Sequence, residues 1–262
     1  MSLYRDLDGK VAIVTGSTAG IGESVAVNLA RQGVRVVVNG TNRQRGAEVV
    51  SNIRSFGGEA VFVPADVSDP AHVIGLVNCT IDSFGRLDIA CNNAGNEGRG
   101  LDAHTYEENV WDSTIALNLT GVFLCMKYEL QQLIKQYEST KDKTFNAAIV
   151  NMSSIAGLVG GASPAYNASK HGVIGLTKQA ALDYAKYNIR VNAVCPAVTK
   201  TPMIERFLST DPSLVTKWQS MHPIGRFAES DEGASSVLWL LSSESSFVTG
   251  SSIPVDGGWT AQ

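Results

Sequence analysis

The segment Ala165-Tyr166-Asn167-Ala168-Ser169-Lys170-His171-Gly172 sets a phenol and an ammonium four residues apart. If this segment opens a helix, positions i and i+4 stack on one face, and Tyr166 and Lys170 share a pocket. A free tyrosine titrates near pH ~10, and a neighbouring cation favours the phenolate and lowers that value. Such a pair would give or take a proton near neutral pH. The same spacing also describes a packed tyrosine beside a lysine that snorkels into solvent. A second candidate lies near the start. The apolar run Val11-Ala12-Ile13-Val14 leads into Thr15-Gly16-Ser17-Thr18-Ala19-Gly20-Ile21-Gly22, and Glu23 to Gln32 has helical composition and apolar spacing. This reads as strand, glycine turn, helix. Glycine lets a backbone approach a ligand closely, and the free amides at a helix start hold negative charge, so the turn suits a pyrophosphate. Its spacing, Gly-x-x-x-Gly-x-Gly, differs from the Gly-x-Gly-x-x-Gly fingerprint, and a plain tight turn would use the same residues.

The elements that position these groups alternate along the chain. Val34 to Val38 is a β-branched run, followed by the polar Asn39-Gly40-Thr41-Asn42-Arg43 and a helical segment to Phe56. Ala60 to Val63 reads as a strand, Pro70 to Phe84 as a helix, and Leu87 to Cys91 as a strand. A long segment from about Thr105 to Gln136 is followed by the polar 137–144, a surface loop made of a helix overrun and a solvated turn. Then come the strand Ala147 to Met152, the Tyr166 helix, a strand at Arg190 to Val194, a helix over Asp231 to Ser242, and a strand at Ser252 to Val255. Strands too apolar to have a wet face, alternating with helices, predict an α/β fold: a Rossmann-type doubly wound parallel sheet of about seven strands with helices on both faces. Ligands of such sheets bind at the carboxyl ends of the strands. Gly16, Asp66, Asn92, Ser154 and Pro196 each follow a predicted strand, so they should meet along one crevice.

At 262 residues and 44% hydrophobic, the chain can bury a substantial core and is expected to form a single domain spanning 1–262. A net charge of −4 and no Lys/Arg run argue against nucleic acid or an anionic membrane as a partner. Met1-Ser2-Leu3-Tyr4-Arg5-Asp6 lacks a signal-peptide core, and no stretch reaches the ~18 apolar residues of a membrane span. The four cysteines, Cys79, Cys91, Cys125 and Cys195, have no paired spacing and sit in apolar sequence, which predicts reduced, packed thiols, a cytoplasmic location and no metal.

Taken together the motifs resemble the short-chain dehydrogenase/reductase family over nearly the whole chain. Thr15 to Gly22, including Gly16, Ser17, Thr18, Gly20, Ile21 and Gly22, matches that family's cofactor loop; Asp66-Val67 matches its adenine-side contact. Asn92-Asn93-Ala94-Gly95 matches its Asn-Asn-Ala-Gly motif, Asn118 its helix asparagine, Ser153-Ser154 its catalytic serine strand end, and Tyr166 with Lys170 its active-site pair. The resemblance implies an oxidoreductase that interconverts a secondary alcohol and a ketone or aldehyde with a nicotinamide cofactor. Tyr166 would transfer the proton, Lys170 would lower its pKa and bind the nicotinamide ribose, and Ser154 would hold the substrate oxygen. Asn118 would hold a water that links Lys170 to solvent. Anchoring on the strand Ile149 to Ser154 selects Ser154, whereas counting back from Tyr166 selects Ser153; strand ends shift less readily than loops, which favours Ser154. A cofactor-binding scaffold without turnover is the competing reading, and it has no need of these four residues together.

Two departures matter. Pro196-Ala197 stands where the family has Pro-Gly; unless the backbone there needs a positive φ, Thr199 and Thr201 keep their places as carboxamide contacts, Thr201 equally suiting a helix cap before Pro202. At the end of the second strand Gly40 replaces the acid that would bind the NAD ribose, and with Thr41 and Arg43 nearby, and Arg45 further on, NADP(H) is expected over NAD(H). Residues 203–222, carrying Phe207, Leu208, Leu214, Val215, Trp218 and Met221, sit where the family has a substrate lid, with Asn96, Glu97, Leu158 and Val159 as further walls. No Arg/Lys cluster offers to bind an anion, so a small neutral alcohol or ketone is expected as substrate. The resemblance also implies a homotetramer, since the family uses as interfaces the segments matched here by the apolar Tyr166 helix and the Phe247 to Trp259 tail.

Overall fold

Short β-branched runs enclosed by turn residues become the strands, and each is paired in register with a parallel neighbour. The computed structural model describes residues 4–98, 102–140 and 145–262. In chain order the elements are β1 (Val11–Val14), α1 (Gly20–Arg31), β2 (Arg35–Gly40), α2 (Arg43–Ser55), β3 (Ala60–Pro64), α3 (Pro70–Phe84) and β4 (Ile89–Asn92). There follow α4 (Glu108–Ile115), a π-turn (Ala116–Thr120), α5 (Gly121–Thr140), β5 (Ala147–Met152), α6 (Pro164–Tyr184) and β6 (Ile189–Pro196). The chain ends with α7 (Pro202–Thr210), α8 (Ser213–Ser220), α9 (Ser230–Leu241) and β7 (Ser252–Val255). Among the described residues the sheet has seven strands in the order β3-β2-β1-β4-β5-β6-β7, all parallel.

Successive strand residues point to opposite faces, and here both faces are covered. Ala12, Val14, Val36, Val38, Ile89 and Cys91 pack with α1 and α9 residues such as Leu29, Val237 and Leu241. Ile13, Val37, Ala90 and Ile149 pack on the other face with Leu76 of α3, Leu130 and Leu133 of α5, and Val173 of α6. Truncating one of these fully buried side chains to alanine removes roughly 2–5 kcal/mol of stability. Helix starts are set by side-chain caps: Asp69 accepts from the Ala71 amide (2.8 Å) ahead of Pro70, and Ser163 accepts from the Tyr166 amide (3.3 Å) ahead of Pro164. The Ser163 cap is what fixes the first turn of the helix that carries Tyr166.

Several expectations are corrected here. The helix of the polar stretch runs on to Thr140, while 141–144, like Met1 to Leu3, lie outside the described residues. The long segment from Thr105 is broken by the π-turn around Asn118, and 203–222 forms two helices, α7 and α8. Cys91, Cys125 and Cys195 are buried, but Cys79 is exposed. On α3 the buried positions are Val73, Leu76, Val77 and Thr80, and residue 79 falls off that stripe. Among the described residues no helix is long and apolar enough to cross a membrane, and no group of three His, Cys, Asp or Glu is placed to hold a metal.

Candidate active site

Strand order reverses between β1 and β4, and there the carboxyl ends of the strands open a crevice of about 880 Å³. Its glycine-rich wall is Gly16, Ala19, Gly20 and Ile21; its floor holds Ser154, Tyr166 and Lys170; Thr199 and Thr201 close one side. Gly16 and Gly20 both have φ of +61°, a backbone that β-carbon-bearing residues avoid. A Cβ on Gly16 would stand 2.7 Å from Ala94 Cα, and one on Gly22 would stand 2.5 Å from the Gly16 carbonyl. The loop is therefore glycine partly because its own supports approach so closely. Those supports come from Asn93, whose amide nitrogen donates to the carbonyls of Thr15 and Gly16 (3.0 Å each), and from Thr15 Oγ1, which accepts from the Asn93 and Ala94 amides (2.9 and 3.1 Å). Asn92 faces away, donating to Glu129 (3.0 Å) and Asn151 (3.1 Å) in the core. The α1 N-cap, Ala19, has no side chain to satisfy the first amides of its helix. Those amides, facing the crevice beside glycines, fit the pyrophosphate of a dinucleotide.

Lys170 is 4% exposed, and its ammonium donates to the Met152 carbonyl (2.8 Å) while standing 5.5 Å from the Tyr166 ring centroid. Burial pulls the Lys170 pKa down to about 8. Burial also holds the Tyr166 phenol above its usual value, opposed by a hydrogen bond with Ser154, and the Glu97 charge adds to the rise. This corrects the expectation that Lys170 lowers Tyr166: desolvation of the phenolate is the largest influence, and the cation stands over the ring face with one donor on the Met152 carbonyl. The two serines separate cleanly. Ser153 donates to the Lys170 carbonyl (2.9 Å), tying β5 to α6, whereas Ser154 meets the phenol and accepts from the Ala156 amide (3.2 Å).

Asn118 is fully buried in the π-turn, and its amide is used up locally. It accepts from the Asn96 amide (2.8 Å) and donates to the Asn96 carbonyl (2.7 Å). The side chain thus clamps the loop after Gly95. Gly95 lies between this clamp and Lys170: a Cβ there would stand 3.0 Å from Asn118 Oδ1 and 3.7 Å from Lys170 Nζ. Ala197 lacks a positive φ, its amide donates to Val255 (3.1 Å), and Thr199 and Thr201 still line the crevice. Thr201 Oγ1 accepts weakly from the Ile204 amide (3.5 Å), the capping role.

The adenine-side residues gather less tightly. Gly40, Thr41, Arg43, Asp66 and Val67 are not among the residues lining the crevice, whereas Arg45, one turn into α2, is. Asp66 is spent on Ser68, whose hydroxyl (2.7 Å) and amide (3.0 Å) hold its carboxylate below the usual range. Val67 has its side chain in the core, leaving its backbone for any ligand. On the substrate side Met203, Ile204, Trp218, Met221 and Trp259 line the wall; Leu158 and Val159 do not, because Asn167 draws the Val159 carbonyl onto α6 (2.8 Å). The side chain of Phe207 lies outside the described residues. Arg206 and Lys217 also line the crevice, two basic groups that the expectation of no Arg/Lys cluster did not single out. Arg206 pairs with Glu97 at 3.0 Å. Sequence carried no signal for Arg206, Lys217 or the inward turn of Trp259, since each depends on how α7, α8 and the tail fold back.

Comparison with known proteins agrees with this geometry. The profile of a family described as Enoyl-(Acyl carrier protein) reductase matches residues 16–260. A 2,5-dichloro-2,5-cyclohexadiene-1,4-diol dehydrogenase of Sphingobium indicum is 41% identical, covering 98% of this chain and 99% of its own. A cyclohexanol dehydrogenase of Acinetobacter sp. is 40% identical over 99% of this chain and 98% of its own. The crystal structure of levodione reductase superposes with a TM-score of 0.91 at 32% identity, covering 97% of this chain and 98% of that one.

Proposed function

The chain belongs to the short-chain dehydrogenase/reductase family, and from that membership we propose that Tyr166, Ser154, Lys170 and Asn118 carry its reaction. It is an oxidoreductase acting on CH–OH groups, interconverting a secondary alcohol and a ketone with a nicotinamide cofactor. When bound, that cofactor supplies or takes up the hydride. The protein's part is the proton and its placement. Tyr166 gives its proton to the carbonyl oxygen in reduction and takes the hydroxyl proton in oxidation; Ser154, hydrogen-bonded to the phenol, holds that oxygen within reach. Lys170, with its pKa near 8, is read as the group that restores the phenol's proton, and its place beside the Tyr166 ring supports that role. Asn118, in the π-turn, keeps Asn96 and Gly95 in place beside Lys170. The observation that carries this reading is the meeting of Ser154, Tyr166 and Lys170 at the floor of a crevice whose wall is the glycine loop. Following nicotinamide absorbance with purified protein against a panel of cyclic and acyclic alcohols and ketones tests it: turnover of none of them would sink it.

The cofactor is read as NADP(H). Gly40 offers no carboxylate to repel a 2′-phosphate, and the presence of Arg45 rather than Arg43 on the crevice supports a basic contact to one. The substrate is read as a small neutral ring alcohol or its ketone, supported by the apolar wall and by the cyclohexanol and cyclohexadiene-diol dehydrogenases among the relatives. Residues 203–222 serve as its lid within one domain. A homotetramer is read from the family resemblance, and the exposed apolar side chains Leu182 of α6, Phe247 of the tail, Trp111 of α4 and Phe123 of α5 support an assembly that covers them. The buried, unbridged thiols of Cys91, Cys125 and Cys195 suit the reducing cytoplasm.

A further inference from the structure

Two charged side chains from opposite sides of the crevice meet over the substrate end. Glu97 is held from the base side: Asn118 clamps both backbone groups of the preceding Asn96, and the Glu97 carbonyl accepts from Ser163 Oγ (3.4 Å), the cap of α6. Its carboxylate is near enough to Tyr166 for its charge to be felt there. Arg206 comes from α7 above, and one of its N–H groups reaches one Glu97 oxygen, Nη2 to Oε1 at 3.0 Å. Both residues line the same crevice as Ser154 and Tyr166.

The contact is half of what the two groups can make. Elsewhere in the molecule Arg226 meets Glu232 through the two-bond fork natural to guanidinium and carboxylate, with both bonds at 2.7 Å. Among the described residues Glu97 and Arg206 share a single bond, so Glu97 keeps Oε2 as an acceptor and Arg206 keeps further donors. A group that fills this opening must accept from Arg206 and donate to Glu97. A carboxylate would suit Arg206 but be repelled by Glu97, an ammonium the reverse, and a ketone or ether oxygen can only accept. A hydroxyl does both and adds no charge.

We propose that Glu97 and Arg206 form a subsite for a second hydroxyl on the substrate, making the preferred substrate a diol or hydroxy-ketone, one oxygen reacting at Tyr166 and Ser154 while the other bridges the pair. The proposal rests on the alcohol-oxidoreductase reading above and narrows its substrate class. Neutral hydroxyl-bearing substrates gain a charge-assisted hydrogen bond at each side, which corresponds to roughly a ten- to hundredfold gain in kcat/KM.

The test compares kcat/KM for cyclohexanol, the cyclohexane-1,2-, 1,3- and 1,4-diols and their mono-methyl ethers, in wild type and in the double variant Glu97→Leu/Arg206→Leu, which removes the pair without leaving an orphan charge. Wild type should prefer at least one diol over both cyclohexanol and the matching ether by about tenfold or more, and the double variant should bring that ratio to within about twofold of unity. Circular dichroism reports whether the double variant is folded; if it is not, the single change Arg206→Leu, on the more exposed partner, should lower the same ratio. No diol preference in wild type, or a preference that survives the substitution, overturns the subsite while leaving the alcohol chemistry standing. Absence of turnover for every ring alcohol and ketone brings down both readings together.

Discussion

The two walls of the crevice are built differently. The glycine-loop wall is stapled from beneath by bonds between distant elements: Thr15 and Gly16 after β1 share four of them with Asn93 and Ala94 after β4, and a core network of Asn92, Glu129, Asn151 and Thr177 lies below. The opposite wall, α7 and α8, has no fully buried residue in α8 and meets the base through the partly exposed Glu97–Arg206 pair. A wall fixed by buried hydrogen bonds is preorganised for one invariant ligand. A wall held by solvent-screened contacts can change its chemistry at little cost to folding, which is where differences in substrate are expected to reside.

The largest expected effect is on the rigid side. Tyr166→Phe removes the proton-bearing oxygen and should cut kcat by about 10²–10⁴ while leaving cofactor affinity nearly intact, as measured by steady-state kinetics and cofactor fluorescence titration. Retention of more than about a tenth of wild-type turnover would show that the phenol is not the acid–base group assigned here. Next comes the buried carboxyl beneath the loop. Burial pushes the Glu129 pKa from 4.5 up to about 7 against a weaker pull from Asn92. Its native form keeps a proton that the unfolded chain releases, so its stabilising contribution is present below about pH 4.5 and is lost as pH rises to about 7. In that window this group should make stability fall by at most about 1.4 kcal/mol per pH unit, and Glu129→Gln, which keeps an acceptor for Asn92, should flatten the slope in urea melts. An unchanged slope would mean that Glu129 titrates alike in both states.

A smaller effect sharpens the cofactor choice. Arg45→Ala should lower kcat/KM for NADP(H) roughly tenfold and leave NAD(H) nearly unchanged. Gly40→Asp should shift preference towards NAD(H), with a lower Tm, because a Cβ there stands 2.7 Å from the Thr18 methyl and the β-branched side chain must rotate. A wild-type preference for NAD(H) would refute the assignment. The smallest effect belongs to the α7–α8 wall: Arg206→Ala should alter folding stability by no more than roughly 1 kcal/mol, the range of an exposed ion pair, as read from denaturant midpoints. A larger loss would show that α7 is anchored as firmly as the glycine loop and would remove the contrast between the two walls.

Much of this was legible from one sequence. Periodicity located β3, α3, β5 and β7 to within a residue, since short apolar runs bounded by turn residues and a helix opened by Asp69-Pro70 leave local signatures. The four-residue step from Tyr166 to Lys170 and the glycine turn before α1 are local too, so their types and spacing sufficed to nominate them. The rest depended on which distant atoms meet. Sequence could weigh Ser153 against Ser154 but only the packing of β5 on α6 sends the first to the Lys170 carbonyl and the second to the phenol. It could set Arg43 and Arg45 side by side, but the pitch of α2 turns one to the crevice and the other to solvent. Likewise, the direction of the Tyr166 shift, the clamp of Asn118 on Asn96, and the meeting of Glu97 with Arg206 across 109 positions follow from burial and approach, quantities that a linear order of residue types does not contain.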